Sequence, residues 1–65
     1  MDLTQHALTL LRENPEYVAD ARQGAPVGNS VAGSIMSLTL KAPRQYTEQA
    51  VREALQILDQ EGGDE

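Results

Sequence analysis

The stretch Ala25-Pro26-Val27-Gly28-Asn29-Ser30-Val31-Ala32-Gly33-Ser34-Ile35-Met36-Ser37-Leu38-Thr39-Leu40 decides the fold class. Its first six residues have the composition of a loop, yet Val27, Val31, Ile35 and Leu38 keep the i, i+4, i+8, i+11 spacing of one helix face. The periodicity predicts a helix from about Pro26 or Asn29 to Leu40. Gly33 inside it costs about 1 kcal/mol relative to Ala, which is expected where another helix crosses at close range. The alternative is a strand over Ser34 to Leu40, supported by Ile35, Leu38 and Thr39, but no other segment could pair with it. The chain therefore reads as all-α, a small bundle of three to four helices.

Working outward, Asp2 can cap a first helix running from Leu3 to about Glu13, with Gln5 at the third helical position. Leu3, Ala7, Leu10 and Leu11 then share a face, and Leu8 lies beside them. Asn14-Pro15 reads as a restart, Asn as a cap and Pro in the first turn, where no N–H is needed. A short second helix to Gln23 follows, turning Val18, Ala21 and Tyr17 inward, and Gly24 is expected to end it in a left-handed conformation. Beyond the central stretch, Lys41 to Gln45 is a connection, because Pro43 pushes Ala42 out of helical geometry. Thr47 is then expected to cap the last helix, with Tyr46 and Val51 forming a hydrophobic staple. Val51, Ala54, Leu55 and Leu58 make its buried stripe, while Glu48, Arg52, Glu53 and Asp59 are expected to face water. Residues 1–60 form one domain, and residues 61–65, all glycine and acid, are expected to be a disordered acidic tail.

Composition narrows the function. Ten Asp and Glu against five Lys and Arg leave a formal charge of −5, which repels nucleic-acid backbones and anionic lipid. There is no cysteine, so neither a disulfide framework nor a thiolate metal site is available. Without Phe or Trp the core must come from Leu, Val, Ile, Ala and Met, a modest supply for 65 residues. The start has no basic, apolar or cleavage-site pattern of a signal peptide, and no apolar run reaches the ~20 residues of a membrane span. A soluble, cytoplasmic protein is expected.

Catalytic constellations are thin. His6, the one histidine, has no second His at ligand spacing and reads as a helix surface residue. Ser30, Ser34 and Ser37 cluster without a strand-to-helix nucleophile elbow or a paired base, and read as caps and small packing residues. Gly24 and Gly28 lack the preceding strand and the Gly-Lys-Ser/Thr of a phosphate loop. The expectation is a protein that is not an enzyme and carries no metal or cofactor.

Taken together, Ala7-Leu8-Thr9-Leu10-Leu11-Arg12-Glu13-Asn14-Pro15-Glu16-Tyr17-Val18-Ala19-Asp20, Gly24, Gly33-Ser34-Ile35-Met36-Ser37-Leu38-Thr39 and Val51-Arg52-Glu53-Ala54-Leu55 form a recognisable pattern. It resembles the C-terminal tail domain of the aspartyl/glutamyl-tRNA amidotransferase, the GatB/YqeY-type helical tail that small YqeY-type proteins share. Asn14, Pro15, Val18, Gly24, Gly33, Met36 and Thr39 stand at the family's spacing, and Thr47 stands where its last cap would be. The similarity covers about residues 4 to 58. The family's Lys-rich stretches are replaced here by Ala25-Pro26 and by Leu40-Lys41-Ala42-Pro43-Arg44, and Ala21 stands for a frequent Tyr. The resemblance implies a helical appendage that binds tRNA without chemistry of its own.

Three functions follow as expectations. In the first, the domain binds tRNA or a tRNA-dependent enzyme, with Arg22, Lys41, Arg44 and Arg52 as the tRNA contacts. In the second, it is a carrier peptide whose flexible end, Gly62, Gly63, Asp64 and Glu65, is modified by tRNA-dependent enzymes. In the third, it is an adaptor in which an apolar groove takes a partner helix or builds a homodimer, the acidic surface suiting a partner with a basic surface.

Overall fold

Each helix begins after a side chain that accepts a free backbone N–H or after a proline, which has no N–H of its own to satisfy. The computed structural model describes residues 2–62 and comprises α1 (Leu3–Glu13), α2 (Glu16–Gly24), α3 (Val31–Leu40) and α4 (Arg44–Gly62). A short 3-10 turn, Ala25–Val27, joins α2 to α3. The expected all-α bundle is what forms, with no strand among the described residues.

The bounds of α1 follow from its cap, since the Asp2 carboxylate accepts the Thr4 N–H at 3.0 Å. Asn14 works on the opposite side from the one its sequence suggests. Its side-chain amide donates to the Leu10 carbonyl at 2.9 Å and so closes α1, while α2 starts without a side-chain cap. Gly24 likewise does not end α2 in a left-handed turn. Its φ is −90°, and the positive φ of +73° belongs to Gly28, after the 3-10 turn. What Gly24 provides is room: a Cβ there would lie 2.6 Å from the Asn29 carbonyl oxygen and 2.8 Å from the Ser30 Cα.

The last helix starts at Arg44, three residues ahead of the expected cap, because Pro43 leads directly into it and its carbonyl accepts from Tyr46 N and Thr47 N. Thr47 is therefore an interior, fully buried residue, and Tyr46, 56% exposed, does not staple Val51. The helix also runs through Glu61 and Gly62, which the sequence assigned to the tail. Arg22 and Arg12 hold its last turns from outside, through Asp59 and Glu61.

The core consists of Ala7, Leu8 and Leu11 of α1, Ala21 and Ala25, Ala32 and Met36 of α3, and Ala50, Val51, Ala54 and Leu55 of α4. Six of these eleven are alanine, so the helices approach closely instead of being propped apart by large side chains. α1 lies along α4 in the most extensive contact of the bundle, and α3 crosses α4 on the other side. Among the described residues no helix is long and apolar enough to cross a membrane.

The periodic stripe that identifies α3 does not face this core. Ala32, Gly33 and Met36 are buried, whereas Val31 is 43%, Leu38 81% and, in the preceding turn, Val27 76% exposed. The helix has turned its small residues inward and its branched ones outward. The cause lies at its N-terminus, where α4 supplies an acidic side chain.

Candidate interaction site

α3 carries no charged residue, yet its free N–H groups are satisfied by charged side chains from two other helices. Ser30 is its N-cap and accepts the Gly33 N–H at 2.9 Å. In a local capping box, an acid at the Gly33 position would reach back to the Ser30 N–H. Here Glu48 of α4 does so: it accepts from Ser30 N at 2.9 Å and from the Ser30 hydroxyl at 2.5 Å. Asp20 of α2 takes the Val31 N–H at 2.6 Å. Two carboxylates thus stand at the positive end of the α3 dipole.

Glu48, expected to face water, is instead 1% exposed. It is tolerated there because its oxygens are occupied by Ser30 and by the Arg44 guanidinium, whose Nε lies 3.5 Å away. Gly33 makes the seat: a Cβ on it would meet the Glu48 carboxyl carbon at 2.5 Å and both oxygens at 2.6 Å. Thr47 completes the clamp, its hydroxyl lying 3.0 Å from the Gly33 carbonyl and 2.9 Å from that of Arg44. One hydroxyl proton serves one acceptor at a time, so the two carbonyls share it. With Thr47 and Glu48 both pressed on Gly33, this face of α3 must point inward and the opposite face outward.

The outward face is the candidate site. Val31, Ile35 and Leu38 follow one another at i, i+4, i+7, the spacing of a helix–helix seam, with Ile35 half-buried between two exposed neighbours, and Val27 extends it. No charged residue occurs from Gly24 to Leu40. On one flank, toward α1, a shallow groove of about 130 Å³ is lined by His6, Leu10, Ile35, Met36, Thr39 and Leu40. On the other flank, a depression of about 270 Å³ is lined by Ser34, Ser37, Leu38 and Arg44. Exposed apolar side chains grouped on one helix, with polar residues at the rim, mark contact surfaces more often than scattered ones do.

The four cations assigned to tRNA are mostly engaged within the molecule. Arg22 grips Asp59 through two nitrogens, at 2.6 and 3.2 Å. Arg44 donates to Ser34 and to Asn29 and approaches Glu48. Arg52 donates to the Ala25 carbonyl at 2.6 Å and to Gln49. Lys41 is the exception: it ends α3 in a left-handed conformation, is exposed, and has no ion pair among the described residues. Of the proposed modification tail, Gly62 closes α4, and Gly63, Asp64 and Glu65 lie outside the described residues.

Electrostatic shifts are confined to surface pairs. The hydrogen bond from Arg22, and then its charge, hold the Asp59 carboxyl below its ordinary value, and the bond to Asp59 raises Arg22. Glu53 is lowered by hydrogen bonds from Thr4 and then Gln49, the first of which ties α1 to α4 at 2.8 Å. For carboxyls depressed in the folded state, the stabilising contribution is present above the unfolded-state pKa and lost as pH falls through the folded-state one. Both carboxylates are solvent-exposed, so these contributions are small.

Sequence reasoning located the α3 stripe but missed Glu48, Thr47 and Asp20. The available signal was Ser30-x-x-Gly33, a capping box without its acid, which requires an acceptor from elsewhere. Comparison with family models, with characterised proteins and with solved structures finds no match to this chain.

Proposed function

We propose that the chain is a noncatalytic binding module whose partner is a protein, received on the outward face of α3. The observation that carries this reading is the seam of Val31, Ile35 and Leu38, open to solvent at both ends within a charge-free span while α3 is anchored from behind by the charges of other helices. The resemblance to the amidotransferase tail supports binding without chemistry. Direct capture of tRNA is less well supported, because Arg22, Arg44 and Arg52 would each have to leave an intramolecular partner and the net charge is −5.

The test is a photo-cross-linking amino acid at Leu38, introduced into the full chain in the cells that produce it. Protein adducts that resist ribonuclease and disappear when Val31→Asp is added are expected, as is no adduct from a label at the exposed Gln56 of α4. Ribonuclease-sensitive adducts would replace this reading with the tRNA one. Equal labelling from Gln56, or none from Leu38, would overturn it.

A further inference from the structure

Resting on that reading, we propose that the occupant of the α3 face is a second copy of this chain, paired antiparallel about a two-fold axis that passes between Ser34 and Ile35. A two-fold interface must be self-complementary: if one residue meets a second across it, the second must meet the first. The outward face of α3 meets that condition. Laid antiparallel, Val31 of one copy falls opposite Leu38 of the other, and the smaller Ser34 falls opposite the larger Ile35. Every apolar residue of the seam then has a partner, and Ser34 at the centre leaves room for the Ile35 of the other copy.

The charges at the ends complement one another in the same arrangement. Lys41, whose side chain makes neither an ion pair nor a hydrogen bond among the described residues, stands at the C-terminal end of α3. Asp20 stands at its N-terminal end, on the Val31 N–H, with the exposed Glu16 one turn earlier on α2. The antiparallel pairing brings Lys41 of each copy toward Asp20 and Glu16 of the other, and it opposes the two helix dipoles favourably. A parallel pairing would place like charges at both ends. Between the ends α3 has no charge to desolvate.

The seam is short. Ten residues of helix span roughly 15 Å, so the contact falls below the ~1,200 Å² of standard stable interfaces and the dimer is weak. Sedimentation equilibrium of the full chain from ten micromolar to one millimolar at low salt is expected to show an apparent mass rising from 7.1 kDa toward twice that value. Leu38→Asp should hold it at the monomer mass, and Lys41→Glu should weaken association at least several-fold.

Register has its own readout, because the chain has no cysteine. Under mild oxidation a mixture of Val31→Cys and Leu38→Cys proteins should cross-link faster than either variant alone. Faster cross-linking of each variant with itself would overturn the antiparallel pairing. A monomer mass up to one millimolar would overturn self-association altogether. In that case heterologous protein adducts at Leu38 would leave the binding reading standing, and their absence would remove both.

Discussion

Replacing Glu48 with Ala should cost about 3 kcal/mol of folding stability and lower the thermal midpoint by roughly 15 °C, the larger part of what a chain of this size has to lose. The substitution removes the acceptor of two buried donors at once, the Ser30 N–H and the Ser30 hydroxyl, neither of which has water to turn to. A buried hydrogen bond to a charged group contributes roughly 1.5–3 kcal/mol, and stranding its donor costs on the same scale. Glu48→Gln should fall between the two proteins, since one amide oxygen remains to accept but the amide nitrogen faces a donor. Urea denaturation of the three proteins gives the values directly. A loss below about 0.5 kcal/mol for Glu48→Ala would mean that the carboxylate is solvated, as an exposed helix residue would be.

The two tight glycines should respond to alanine in different ways. At Gly24 the new Cβ would meet backbone, the Asn29 carbonyl oxygen at 2.6 Å and its carbon at 2.9 Å, in the segment that sets the Ser30 cap. That segment is tied back by the Asn29 N–H to the Gly24 carbonyl at 2.8 Å, so it cannot yield without moving the start of α3. Gly24→Ala should therefore cost about 3 kcal/mol or more, although alanine is the better helix former by about 1 kcal/mol. At Gly33 the obstacle is the Glu48 carboxyl, a side chain held by its hydrogen bonds to Ser30 and its ion pair with Arg44 and not by backbone. Gly33→Ala should cost about 1–2 kcal/mol in the parent, yet become neutral or stabilising by up to about 1 kcal/mol once Glu48→Ala has cleared the space. The change of sign, measured as a double-mutant cycle, is specific to an acid seated on that glycine. Additive effects would separate the two residues.

These substitutions also mark what was legible in the sequence. The extent of α1 was, because Asp2 and the leucine stripe are local signals that agree. The buried stripe of α4 was legible for the same reason, through Val51, Ala54 and Leu55. The existence of α3 was legible, but not its orientation. A helix with Val31, Ile35 and Leu38 on one side and Ala32, Gly33, Met36 and Leu40 on the other is apolar all round, and periodicity alone cannot say which side is covered. Burying the larger side chains would suit an isolated hydrophobic account. The fold instead buries the small ones, because Glu48 and Thr47 need Gly33 beneath them and close helix crossing needs alanine.

Long-range partners were equally hidden. Arg22 meets Asp59, Arg52 meets the Ala25 carbonyl, and Arg12 meets Glu61, pairs separated by most of a fold that had yet to be assembled. Read as isolated charges, Arg22 and Arg52 join a basic set for tRNA; in place, these two and Arg12 hold α4 to α1, α2 and the turn after it. Asn14 and Gly24 were correctly singled out as special residues but for the wrong local duty. Asn14 serves the helix behind it, and Gly24 serves backbone clearance instead of a left-handed turn.

The orientation of α3 underlies both the anchoring by Glu48 and the open face proposed to bind protein. The absence of native cysteine makes it directly measurable through single-cysteine variants at Val31, Ala32, Met36 and Leu38 in the folded full chain, kept at micromolar concentration. Reaction with a thiol reagent should be fast at Val31→Cys and Leu38→Cys, within a few-fold of the urea-unfolded rate, and slower by orders of magnitude at Ala32→Cys and Met36→Cys. Protection at Val31 and Leu38 with fast labelling at Ala32 and Met36 would contradict the account, placing the branched stripe in the core and leaving Glu48 without its seat.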